Sequence, residues 1–145
     1  MSQSTRLIAT KVCPFAILLS VIGCLGAETV RIHVENGRSG KTITDEQIQV
    51  WVNARTGTAL NLIPGRDGVA VLEAPAGSSI EIESNYYKDC RPFEKGAPRP
   101  KYSIDEIKHV GVVARNACGK LNSEAKRGEL LFFVRPIHRW EGMKR

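Results

Sequence analysis

Short runs in which every second residue is apolar, each closed by glycine, proline or asparagine, recur through this chain and favour β-structure. Val30, Ile32 and Val34 alternate with polar neighbours, and Asn36, Gly37 and Gly40 close that run. Ile48, Val50 and Val52 share one face of a second run, with Trp51 on the other. Thr58 to Ile63 is a third, ended by Pro64, and Gly65-Arg66-Asp67-Gly68 then makes a strong turn signal. Val69 to Glu73 and Ser79 to Ser84 are two more, on either side of Ala74-Pro75-Ala76-Gly77. No helical period separates these runs, whereas parallel strands need connections of a dozen or more residues, usually helical. A parallel α/β sheet is therefore not expected.

The character changes after Cys90. Residues 91–101 carry Pro92, Pro98 and Pro100 among basic residues and read as an extended surface loop. Ser103-Ile104-Asp105-Glu106 then fits a capping box, and Gly111 is placed to end the short helix it opens. Val112-Val113-Ala114 leads to Cys118, a polar loop runs from Lys120 to Gly128, and Leu130-Leu131-Phe132-Phe133-Val134 reads as a central strand buried on both faces. The expectation is an all-β chain, a single antiparallel β-sandwich of about seven strands with one short helix.

The first 27 residues are a different object. Arg6 and Lys11 precede an apolar run of about 14 residues, Val12 to Leu25, which ends in small residues at Ala27. A membrane-spanning helix needs roughly 20 apolar residues, so the segment reads as a signal peptide and residues 28–145 as one exported domain. Cleavage after Ala27 is one route. The other is Val21-Ile22-Gly23-Cys24, which resembles a lipobox and would make Cys24 the lipidated first residue, anchoring the protein to a membrane.

Export decides how the cysteines are read. Cys90 and Cys118 remain in the exported part, and in an oxidising compartment an isolated pair predicts a disulfide. Closing a loop of about 29 residues is worth ~3.6 kcal/mol on the chain-entropy model. The competing reading makes Cys90 a reactive thiol, flanked by Lys88 and Arg91. The formal net charge is +6, but the basic residues are scattered without a dense block, so nucleic acid is not an expected partner.

Val34-Glu35-Asn36-Gly37-Arg38-Ser39-Gly40-Lys41 after the first strand, the Asp67-Gly68 turn and Ala74-Pro75-Ala76-Gly77 together resemble the carboxypeptidase regulatory-like and transthyretin-like (prealbumin-like) β-sandwich families. The stretch from Tyr102 to Met143 looks like small secreted bacterial proteins of the same layout. The resemblance implies a sandwich and an exported location. Within it lies one enzyme, the transthyretin-like 5-hydroxyisourate hydrolase, whose opening His33-Val34 through Gly40-Lys41 looks like. The family's closing Tyr-Arg-Gly-Ser is absent, and His138 is the one late histidine. Hydrolysis needs positioned acid and base groups together, so no catalytic residue is assigned and the alternating strand accounts for His33. His33, His109 and His138 lack ligand spacing, and neither a metal nor a cofactor is expected.

Two surfaces suit binding. Phe93, with Arg91 and Lys95 around it, sits on a proline-stiffened loop that would dock at low entropy cost. Tyr86 and Tyr87 precede it, and aromatic rings stack on sugars or anchor protein contacts. The basic tail from His138 to Arg145 carries Trp140 and suits an anionic membrane surface. The structural alternative has Tyr86 or Tyr87 covering the disulfide and Trp140 capping the sandwich edge. The expected function is a non-catalytic binding or scaffold module of the bacterial envelope, its partner an envelope protein or a glycan.

Overall fold

The computed structural model describes residues 26–53, 55 and 57–137; the leading segment through Leu25, with Cys24, and the tail from His138, with Trp140, lie outside them. Among the described residues the chain forms nine strands and one short helix: β1 (Ala27–Asn36), β2 (Ile48–Val52), β3 (Leu60–Leu62), β4 (Val69–Pro75), β5 (Ser79–Ser84), β6 (Lys88–Asp89), β7 (Tyr102–Ser103), α1 (Ile104–His109), β8 (Val112–Val113) and β9 (Glu129–Arg135). Among the described residues no helix is long and apolar enough to cross a membrane.

The strands make two sheets. One is antiparallel throughout, in the order β3-β2-β5-β7. The other runs β4-β1-β9-β6, with β8 also on β9. In this second sheet β1 and β8 both lie parallel to β9, so that Leu130 stands between Ile32 and Val112. The expected single antiparallel sandwich is corrected here to a mixed sheet beside an antiparallel one. The physical reason is the length of the connections. A parallel partner needs a dozen or more intervening residues, and residues 114–128 supply them between β8 and β9 as irregular chain instead of a helix.

Alternation places the core. Val30, Ile32 and Val34 of β1, Ala70, Leu72 and Ala74 of β4, and Leu130, Phe132 and Val134 of β9 meet Ile48 and Val50 of β2 and Ile80 and Ile82 of β5 in one buried cluster, which Ile104 and Ile107 of α1 close. Each of the valine, leucine, isoleucine and phenylalanine side chains contributes about 1.5–3 kcal/mol by leaving water. The helix begins as its sequence dictates. Ser103 is the N-cap, its hydroxyl accepting from the Glu106 amide at 3.4 Å, and Asp105 and Glu106 occupy the first turn. It ends at Gly111, whose φ of +89° excludes other residues and whose missing Cβ leaves room for the Lys126 carbonyl.

β9 is buried on its outer face as well, as the run of five apolar residues predicted. Leu131 and Phe133 turn away from the main core into a second cluster with Cys90, and Cys118, Leu121 and Ala125 of the crossing segment cover them. The Cys90–Cys118 disulfide, with Cα atoms 5.2 Å apart, pins that segment down. The Asn116 amide group donates to the Gly37 carbonyl at 2.8 Å, and Gly119 lies so close that a Cβ there would meet the same oxygen.

Candidate functional site

Three consecutive residues before β2 shape the surface that follows β5. Glu46 has the same parity as Ile48 and Val50, and it points inward with them, fully buried. A buried carboxylate persists only with full hydrogen bonding. Glu46 finds it in the backbone: the amides of Asn85, Tyr86 and Tyr87 donate to it at 2.8, 2.9 and 2.7 Å. The Ser84 hydroxyl donates to the Tyr87 carbonyl at 2.7 Å and lies 3.2 Å from the same carboxylate. On one side Asp45 accepts from the Tyr87 phenol at 2.7 Å, and that hydrogen bond, with burial and the carboxylate charges adding to it, pushes the Tyr87 pKa up to about 12. On the other, the Gln47 side-chain oxygen accepts from the Asn85 amide group at 2.8 Å and from the Tyr86 phenol at 3.2 Å. The bend of residues 85–87 is thus held at every position.

Beyond it the proline-rich loop arches over β5 and β6 and encloses a cleft of about 350 Å³. Tyr87, Pro92, Phe93, Pro98 and Pro100 form much of its wall, and Phe93 is 77% exposed. Glu83, Asp89 and Glu94 are the acids that line it, and Glu83 is bound twice, by Arg99 at 2.7 Å and by Arg55 at 3.0 Å. Burial raises its pKa, but the two arginines outweigh burial and hold its carboxyl below the usual range. Arg55 also reaches Glu81 at 2.9 Å and stacks on the Trp51 ring, its guanidinium carbon 4.0 Å from the centroid. With Glu83 paired in this way, rings and prolines make up much of the rest of the wall.

Arg91, expected on the binding surface, lines the cleft and also serves as an interior strut. Only 8% exposed, it forks onto Asp89, with its Nε 2.9 Å from Oδ2, donates to the Ile82 carbonyl and lies 5.1 Å from the centre of the Phe132 ring. Burial disfavours its charge, yet Asp89 more than offsets that and raises its pKa; burial likewise raises that of Tyr102, its neighbour at 3.5 Å. Lys95 is exposed and does not line the cleft. Trp140 and Cys24 fall outside the described residues. The disulfide is covered by Leu121, Ala125, Leu131 and Phe133, whereas Tyr87 packs against the main core; the expected tyrosine cover is not what the fold uses. His33 faces Glu35, Nδ1 to Oε1 3.7 Å, with its Nε2 buried and without a hydrogen-bond partner, and it lines neither the cleft nor the smaller recess beside Tyr102 and Arg115.

Of the expected surface residues Tyr87, Arg91 and Phe93 line the cleft and Tyr86 does not, while Glu46 was not among them, although its parity with Ile48 was an available signal. No protein-family model matches the chain, and no curated protein or solved structure matches it.

Proposed function

We propose that this protein is an exported, non-catalytic binding domain of the bacterial envelope, related in kind to the carboxypeptidase regulatory-like and transthyretin-like sandwiches, and that its ligand enters the cleft beneath the proline-rich loop. The observation that carries the reading is the cleft itself. A highly exposed phenylalanine and three prolines face a tyrosine whose backbone is fixed by a buried carboxylate. Such a wall is rigid before binding, which lowers the entropy cost of holding a ligand. The Cys90–Cys118 disulfide and the signal-like leader support export.

Two measurements test it. The intact mass of the protein recovered from cell envelopes gives the mature N-terminus: Glu28 unmodified for a released domain, or diacylated Cys24 for an anchored one. An N-terminus still at Met1 in cytosolic extract removes export. Envelope extracts passed over immobilised wild type and Phe93→Ala give the second. A component retained by the wild type and lost by the variant supports the cleft, and identical retention by both refutes it.

A further inference from the structure

We propose that Tyr86, Asn85 and Gln47 form a carbohydrate-binding platform, separate from the cleft, on which a neutral sugar ring stacks. Tyr86 is 59% exposed, and it does not line the cleft. Its position is nevertheless fixed on two levels. Its amide donates to the fully buried Glu46, and its phenol donates to the Gln47 side-chain oxygen at 3.2 Å. An exposed tyrosine ordinarily loses rotamer freedom on binding. This one has much of that freedom removed already.

The flanking groups specify the ligand. The oxygen of the Gln47 amide is occupied by Tyr86 and by Asn85, the latter at 2.8 Å, which leaves the Gln47 NH2 and the Asn85 side-chain oxygen as the polar groups of this set not used in those two bonds. By the donor and acceptor inventory these offer two N–H donors and an acceptor, and the phenol oxygen adds a further acceptor. All three residues are neutral; of the two acids that precede Gln47, Glu46 is fully buried on the backbone amides of residues 85–87 and Asp45 accepts from the Tyr87 phenol. A phosphate or an ammonium group would meet no opposite charge in this set. A hydroxyl-bearing ring matches it, with its C–H face on the aromatic face and its hydroxyls on the amides.

The test uses the full mature protein, labelled with 15N, and three neutral probes: chitohexaose, maltohexaose and cellohexaose. At about 10 mM, a level that detects millimolar binding, at least one probe shifts the amide signals of Gln47, Asn85 and Tyr86. Tyr86→Ala weakens that binding about tenfold, the size expected for loss of a stacked ring. Asn85→Ala and Gln47→Ala weaken it less, and Phe93→Ala leaves it unchanged, which separates this platform from the cleft. Dispersed spectra of each variant establish that it folds. The proposal is overturned if no probe moves these signals, if Tyr86→Ala binds as the wild type does, or if the surface captures an envelope protein through Tyr86 while ignoring all three sugars.

Discussion

Replacing Glu46 with glutamine removes one negative charge and changes one oxygen to NH2, and the consequence follows from which donor meets which oxygen. The Asn85 and Tyr86 amides both donate to Oε1, and the Tyr87 amide donates to Oε2. A glutamine placed with its oxygen at Oε1 keeps the first two bonds but sets its NH2 against the Tyr87 N–H. Placed the other way it strands two amides instead. The better orientation leaves one donor unsatisfied, at about 1–3 kcal/mol, and the two remaining bonds lose the strength that the charge gave them. The lower desolvation cost of a neutral side chain offsets part of this. A net loss of about 2–3 kcal/mol follows, against a total stability of about 5–15 kcal/mol for a domain of this kind. Glu46→Leu sharpens the argument. A buried pair of side chains can often be replaced by apolar residues without loss, but here the partners are backbone amides that no substitution removes. Leucine at this position therefore destabilises by more than glutamine, about 4 kcal/mol. Urea unfolding followed by tryptophan fluorescence measures both, and the amide shifts of residues 85–87 show where the change falls. Should Glu46→Gln unfold within about 0.5 kcal/mol of wild type, the range of an ordinary surface substitution, the carboxylate is not what holds the bend.

Removing the disulfide as Cys90→Ala/Cys118→Ala costs up to about 3.6 kcal/mol on the loop-entropy model and frees residues 114–128 from β9; limited proteolysis read by mass spectrometry then cuts first in that segment, and cleavage elsewhere would contradict the pinning role. Tyr87 gives a pH dependence of known sign. Its folded pKa of about 12 stands above the ordinary value of 10.0, so its contribution to stability is complete below pH 10 and is lost as pH rises toward 12, because the unfolded chain releases the proton first. Absorbance titration of the phenols resolves one tyrosine near 12, which disappears in Tyr87→Phe and moves down in Asp45→Asn; a wild-type curve without it sinks the assignment.

What the sequence made legible was local. The alternation from Ser79 to Ser84 coincides with β5, and the Ser103 cap and Gly111 stop bound α1 as their chemistry requires. β1 extends beyond its expected run, from Ala27 to Asn36, and the third run shrinks to Leu60–Leu62, because pairing with β4 and β9 lengthens the one while the other has a partner only in β2. Parallel pairing left no comparable trace. β1 and β9 meet across most of the chain, and nothing in either strand's pattern encodes the direction of a partner so distant.

The same limit explains the site. Five apolar residues in a row announced that both faces of β9 would be covered, yet the cover comes from Leu121 and Ala125, isolated in a polar stretch where no periodicity marks them. Arg91 looks like any basic loop residue until the fold sets Asp89, the Ile82 carbonyl and the Phe132 ring around it. Glu46 differs from both, because its parity with Ile48 and Val50 already placed a carboxylate on the inward face. A charge at an inward position of a strand is costly unless backbone donors converge on it, so it implies a turn elsewhere in the chain that surrenders its amides to that charge. Here that turn carries Tyr86 and Tyr87, and the surface best suited to recognition is therefore built from the interior outward.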